Sequence, residues 1–399
     1  MDTFLARQPI FDRNRNIYGY ELLFRAGEAN IFPQIDGDVA TSKLLSSTFF
    51  TVGIEEITGG RKAFVNFTSE LLLQGTAHMF HPGTFVVEIL EDVCPGAEVI
   101  EACRELRSKG YDIALDDFTC TCQSEIFIEF ATIVKIDFRA TSITEIRDIL
   151  SRFNLHPCAF LAEKIETHEE FDQAKELGFH YFQGYFFARP EVMTQKDISP
   201  IKQHILQLLI RVFQEDCTVT DLEKIISRDV SMSYKLLKYI NSAHFARITP
   251  LSSVRQGIAF LGMNEIRAFV TIIAASKLCQ DKPNELLRSS VIRARFLEHI
   301  AAEVGRNKEE LFMLGLFSLI DAILNIPMTE LIPRLHLNER LQEALVKRAG
   351  ELFTYLQMVE LYETGQWERL DILVKGAGIA EGRMAIFYLE AVTWTDRFA

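Results

Sequence analysis

No apolar run in the 399-residue chain approaches the length needed to cross a bilayer, and no charged and then apolar leader pattern opens it. The expectation from these absences is a cytoplasmic protein without membrane contact. Its seven cysteines are an odd number without regular spacing, which fits a reducing compartment better than a disulfide framework. Cys120 and Cys122 are close enough to share a metal or be oxidised, although small loop residues commonly stand at such spacing. An excess of basic charge is also missing: 42 Lys and Arg face 55 Asp and Glu. Residues 1–200 hold 31 acids and 18 bases, whereas residues 201–399 hold 24 of each. The whole surplus of acid therefore belongs to the first half, and the length fits two domains of different purpose. An acidic unit is a poor binder of nucleic-acid backbone and a reasonable cage for divalent cations.

What the first half does contain is a series of short apolar runs. Residues 4–10 and 17–24 flank the turn-like Asp12-Arg-Asn-Arg-Asn16 and read as a hairpin. Six more strands are predicted at 63–67, 84–90, 111–117, 133–137, 158–163 and 180–185, with amphipathic segments at 97–109, 142–153 and 167–177 between them. Strand and helix alternation implies a parallel sheet, and eight strands in about 200 residues fit a modified (β/α)8 TIM-like barrel. A doubly wound open sheet is the alternative.

The polar residues fall at the strand ends. Asn66 follows Ala-Phe-Val, Glu88 follows Phe-Val-Val, and Asp116 and Asp117 follow Ile-Ala-Leu. Lys135 follows Ile-Val, Glu163 follows Phe-Leu-Ala, and Gln183 follows Tyr-Phe. Neighbouring side chains on a strand point to opposite faces, so two adjacent acids belong where the strand leaves the core. Like charges there repel unless a cation or a shared proton holds them. A strand running into a polar turn also ends in aspartate, but six successive polar strand ends converge on one face of a barrel. Asn66, Glu88, Asp116 and Asp117 are hard oxygen donors suited to Mg²⁺ or Mn²⁺, and Lys135 could hold an oxyanion or polarise a water. Two such ions suit in-line displacement at phosphorus. A glycosidase also pairs carboxylates on a barrel, but it requires neither Asn66 nor Lys135.

These residues resemble an EAL domain, the bacterial phosphodiesterase and binding module for cyclic di-GMP. The resemblance rests on Arg7-Gln-Pro-Ile10, Tyr20-Glu-Leu-Leu-Phe-Arg25, Val65-Asn-Phe-Thr68, Glu88-Ile-Leu-Glu91 and Ala114-Leu-Asp-Asp-Phe118, in order. Lys135-Ile-Asp137, Ala162-Glu-Lys-Ile-Glu-Thr167, Gln183-Gly-Tyr185 and Arg189-Pro190 complete it. It implies Glu21, Asn66, Glu88, Asp116 and Asp117 as ligands of two Mg²⁺ or Mn²⁺ ions. Lys135 would orient the nucleophilic water and Glu163 would act as base. Gln8, Arg25, Gln183 and Pro190 would contact the dinucleotide or line its site, and Glu91 would anchor the loop after Asp117. The implied reaction is hydrolysis of cyclic di-GMP to linear pGpG by a homodimer. Three positions depart from the family's pattern: Leu22 replaces an alanine, Thr119-Cys-Thr-Cys122 replaces Gly-Thr-Gly, and Lys164-Ile165 replaces Gly-Val. A module that binds the nucleotide or a partner protein without turnover is the alternative.

Residues 191–200 read as a linker between Pro190 and Pro200, and beyond it residues 201–399 are helical in pattern, with helices predicted at 203–213, 221–227, 234–241, 253–261, 264–277, 286–304, 308–324, 338–347 and 352–362. Leu236-Leu-Lys-Tyr-Ile-Asn-Ser-Ala-His-Phe245 and Ser253-Val-Arg-Gln-Gly-Ile-Ala-Phe-Leu-Gly262 resemble an HDOD domain, a helical bundle of HD-like fold. The catalytic His-Asp doublet of HD hydrolases is absent, with Ser318-Leu319 standing in its place. This half is therefore expected to regulate, through a partner protein of unknown identity or a ligand.

Overall fold

The structure, a computed structural model, describes residues 3–26, 54–120, 124–188, 200–212, 214, 216–241, 251, 253–278, 284–335, 337–380 and 382–396. Eight strands close a barrel in chain order: β1 Thr3–Asp12, β2 Ile17–Ala26, β3 Lys62–Phe67, β4 Phe85–Ile89, β5 Asp112–Leu115, β6 Ile133–Asp137, β7 Ala159–Glu163 and β8 Tyr181–Gln183. The closure excludes the open sheet. β1 and β2 are antiparallel, and their turn is held by Asp12 Oδ1, which accepts from the N–H groups of Asn14 and Asn16 at 2.8 Å. From β2 to β8 every pair is parallel, and β8 closes on β1 antiparallel.

Alternation along the strands decides what points inward. Ile10, Phe64, Val86, Ala114, Ile133 and Leu161 make one apolar layer inside the barrel. Two residues further toward the open end, the same faces carry Asn66, Glu88, Asp116, Lys135 and Glu163. The site is thus the next layer of the same stack. On β2 the corresponding floor position is Gly19, where an added Cβ would lie 2.7 Å from the Lys62 carbonyl and 3.0 Å from the Phe64 ring. Glycine there leaves the space that Phe64 fills.

Helices α1 Ile54–Thr58, α2 Ser69–Leu73, α3 Ala97–Ser108, α4 Ser124–Phe127, α5 Ile143–Arg152 and α6 His168–Leu177 surround the barrel. Capping boxes, Ser142 with Glu145 and Thr167 with Glu170, fix the starts of α5 and α6.

The second half is helical: α7 Pro200–Val212, α8 Val219–Arg228, α9 Val230–Ile240, α10 Val254–Leu261, α11 Met263–Leu278, α12 Asn284–Glu303 and α13 Lys308–Phe317. Then come α14 Ile320–Leu324, α15 Met328–Arg334, α16 Glu339–Gln342, α17 Gly350–Glu363, α18 Trp367–Gly376 and α19 Arg383–Asp396. Pro200, expected in the linker, instead opens α7, and residues 191–199 lie outside the described ones. The single helix expected over 308–324 is broken, because Leu319 adopts φ −123°, ψ 13° between α13 and α14. α15, α18 and α19 were not foreseen. Pro333 inside α15 argues locally against helix. α19 buries residues on several faces, so no clean apolar stripe marks it. Among the described residues, no single helix is long and apolar enough to cross a membrane.

The apolar shell of the barrel runs without a break into the core formed by α12 to α19. α17 and α19 pack against β1, and α12 meets β2 at Tyr20, whose hydroxyl donates to Glu285 and accepts from Arg288, whereas α7 to α11 gather a smaller core of their own around Leu236, Ile258 and Phe269.

Candidate functional site

The centre of the polar layer is Lys135, fully buried on β6. Its Nζ lies 2.8 Å from Asp116 Oδ1, 2.7 Å from Glu163 Oε1 and 3.7 Å from Glu21 Oε2, and it is also bonded to Glu88. Four carboxylates converge on one ammonium, which leaves an excess of negative charge in a water-poor pocket. Burial raises Glu163 to about 8, with Asp116 and Glu21 adding to it and Lys135 opposing. Burial likewise raises Glu88, with Lys135 opposing and Glu21, Asp116 and Glu163 adding. Burial also works against ionised Asp116, but the charge and hydrogen bond of Lys135 outweigh it and hold Asp116 below the usual carboxylate range. Lys135 would be lowered by burial and is raised by the carboxylates around it.

The donor set suits a hard cation. One carboxylate oxygen from each of Glu21, Glu88 and Glu163 lies within 4.8 Å of the others. Glu88 Oε2, Asn66 Oδ1 and Gln183 Oε1 are buried acceptors without a hydrogen-bond partner. Buried oxygens are rarely left so, and three at one cluster of surplus negative charge fit an ion that these atoms could ligate. Gln183 also donates from Nε2 to Glu21 Oε2 at 2.6 Å and to Gln8 Oε1 at 3.0 Å, tying β8 to β1 and β2.

Asp117 stands apart from this centre. It follows β5 with φ 38°, and Lys164 follows β7 with φ 57°, both in the left-handed region that disfavours side chains. The two face each other at 3.4 Å, and Lys164 also pairs with Asp137 at 2.6 Å. Lys164 therefore turns away from Glu163. Gly184, directly after Gln183, has φ 142°, and a Cβ there would fall 2.1 Å from the Ile165 carbonyl. A side chain would push apart the two segments that follow Glu163 and Gln183.

The remaining expected residues divide. Gln8 lies at the site. Glu91 is exposed after β4, and residues 121–123 of the loop it was expected to anchor lie outside the described ones. The side chain of Arg25 and all of Pro190 lie outside them too. Cys120 is exposed, whereas Cys122 is not among the described residues.

Sequence reasoning missed the outer wall. A cavity of about 380 Å³ above the cluster is lined on one side by Gln8, Glu21, Asp116, Asp117 and Glu163. Its other side is formed by Glu285, Ser289 and Ile292 of α12, Glu363 and Thr364 at the end of α17, and Tyr388 of α19. No local motif could have named these residues, because packing between distant segments brings them there. One trace was legible: Arg293 stands between Ile292 and Ala294 on the stretch of α12 that carries the most apolar residues.

Family models match this chain twice, as an EAL domain over residues 48–190 and as an HDOD domain over 198–346. The YuxH protein of Bacillus subtilis is 36% identical over 99% of this chain and 98% of its own length. The cyclic di-GMP phosphodiesterase CdgJ of Vibrio cholerae is 35% identical over 99% of this chain and 92% of its own. This chain belongs to the EAL–HDOD family. A solved structure, YkuI of Bacillus subtilis, with an EAL domain and in complex with cyclic di-GMP and calcium, is 19% identical with a TM-score of 0.40, covering 65% of this chain and 71% of that one. Within this EAL–HDOD protein, β1 and β2 precede the matched EAL segment yet close the barrel, and α17 and α19 follow the matched HDOD segment yet reach the barrel mouth.

Proposed function

We propose that the protein hydrolyses cyclic di-GMP to linear pGpG, with residues 1–190 as the catalytic unit and residues 201–399 as the regulatory one. The observation that carries this reading is the convergence of Glu21, Glu88, Asp116 and Glu163 on Lys135, beside three buried oxygens without partners. The full-length relative named as a cyclic di-GMP phosphodiesterase supports the substrate.

Glu21, Asn66, Glu88, Asp116 and Asp117 would hold two Mg²⁺ or Mn²⁺ ions. Bound there, the metal would supply Lewis acidity toward phosphate oxygen and a water of lowered pKa. Lys135, rigid and fully charged, orients the attacking water. Glu163 takes the proton, a task that suits a carboxyl lifted toward neutral pH by burial. Gln183 braces Glu21, and Gln8, Arg25 and Pro190 meet the dinucleotide.

Glu163→Ala and Glu21→Ala test these roles. Turnover should fall at least a hundredfold in both, within the range that a lost general base produces. Cyclic di-GMP binding should survive in Glu163→Ala. Equal loss of binding and turnover in Glu163→Ala would remove it as the base.

A second reading has one specific support. Lys164 places an ammonium 3.4 Å from Asp117, where it competes with a cation. In that reading the site binds cyclic di-GMP and does not cleave it. Binding by the wild type with manganese present and no product would establish it.

A further inference from the structure

The cavity above the carboxylates belongs to both halves of the chain. Its volume, about 380 Å³, falls within the ~300–1,000 Å³ of small-molecule sites. The second-half wall combines apolar surface, from Ile292 and Tyr388, with the hydroxyl-bearing Ser289 and Thr364 and the carboxyl-bearing Glu285. Arg7 lines the cavity from β1, is 5% exposed and has Nη2 buried without a hydrogen-bond partner. A carboxylate-bearing wall repels phosphate. It accepts from ring N–H and exocyclic amine, while a guanidinium donates to base carbonyl and ring nitrogen. Guanine carries both kinds of edge.

The wall is held rigidly. Arg293 of α12 is 1% exposed and grips Glu363 through Nε at 2.9 Å and Nη2 at 2.5 Å. Its Nη1 donates to Ser318 Oγ at 3.1 Å, and Nη2 also donates to the hydroxyl of Tyr185, two residues beyond Gln183. The backbone carbonyl of Glu363 in turn accepts from Gln8 Nε2 at 3.3 Å. α13 reaches this point because residue 315 is glycine: an added Cβ would sit 2.5 Å from the backbone of Arg293 and Ala294. So one buried guanidinium joins the barrel rim, the end of α17 and the position where an HD doublet would stand.

We propose that the nucleotide pocket is composite: α12, α17 and α19 supply the wall that receives a guanine base, and Arg293 is the positioning residue that sets this wall against the barrel. The inference rests on the cyclic di-GMP reading above and extends it to residues outside the EAL segment. Truncated barrels would then lack the second-half wall of this cavity.

The test compares two substrates on the full chain with Mn²⁺: cyclic di-GMP, and bis(p-nitrophenyl) phosphate, a diester without a base. Ser289→Trp fills the cavity from a half-buried helix position. The ratio of kcat/KM for cyclic di-GMP to that for the small diester should fall at least tenfold, mostly through KM. Arg293→Met should shift the ratio in the same direction, and Arg293→Lys should recover part of it, which a folding defect would not do. If wild type binds cyclic di-GMP without cleaving it, the same tenfold weakening is read from equilibrium binding. An unchanged ratio, or unchanged binding, in Ser289→Trp overturns the composite pocket and leaves the cyclic di-GMP reading standing. A wild type that neither cleaves nor binds cyclic di-GMP overturns both.

Discussion

Lys135→Met removes the ammonium that four carboxylates share while keeping a side chain of similar length. In wild type that ammonium is fully buried and meets Asp116 and Glu163 at 2.8 and 2.7 Å, with Glu88 and Glu21 beside them. Breaking a buried ion pair on one side leaves uncompensated charge and costs ~3–5 kcal/mol. At roughly 2–4 °C per kcal/mol for a domain of this size, the barrel of the variant should melt about 6–20 °C below wild type in EDTA. The carboxylates left behind are a stronger cation trap than before. Manganese should therefore recover more stability in the variant than in wild type, about 2.7 kcal/mol at a hundredfold excess over its Kd. Thermal unfolding followed by circular dichroism, with EDTA and then with Mn²⁺, reads both effects. The reasoning is refuted if the variant melts with wild type in EDTA, or if manganese leaves its melting point unmoved.

Metal-free wild type should lose stability as pH rises from about 4.5 to about 8. Glu163 has a folded-state pKa raised from 4.5 to about 8, so the folded state binds more protons than the unfolded state across that window. Urea midpoints at several pH values in EDTA check the slope, and Mn²⁺ should flatten it. Gly184→Ala should cost at least the upper end of the ~0.5–3 kcal/mol typical of single substitutions, since its Cβ would lie 2.1 Å from a carbonyl. Its denaturation midpoint measures this. Lys164→Gly relieves a φ of 57° worth ~1–3 kcal/mol and forfeits the pairs with Asp117 and Asp137, each worth ~0–1 kcal/mol. Calorimetric titration should show tighter manganese binding, and unchanged or weaker binding would mean that Lys164 does not compete at Asp117.

The barrel was legible because its strands are short apolar runs and six of them carry a polar residue at or near the C-terminal end. Phe64 with Asn66, Val86 with Glu88, Ile133 with Lys135 and Leu161 with Glu163 each state a floor residue and a site residue in three letters of sequence. The hairpin was legible from Asp12 and its neighbours. The broken helix at Leu319 was not, because the apolar pattern continues unchanged across the break. α15 was hidden by Pro333, and α19 by burial on several faces. Within the site, the sequence placed the carboxylates but could not say that Asp117 would turn toward Lys164. That choice depends on two left-handed backbone positions that local propensity disfavours. The second-half wall was beyond reach for a different reason: Ser289, Glu363 and Tyr388 meet only through long-range packing.

The most direct measurement incubates the full chain with cyclic di-GMP and Mn²⁺ in H₂¹⁸O and separates the products by chromatography with mass detection. The account predicts pGpG carrying one ¹⁸O on its terminal phosphate, and none after EDTA treatment or in Glu163→Ala. Intact cyclic di-GMP after prolonged incubation, with manganese bound and the protein folded, would contradict it.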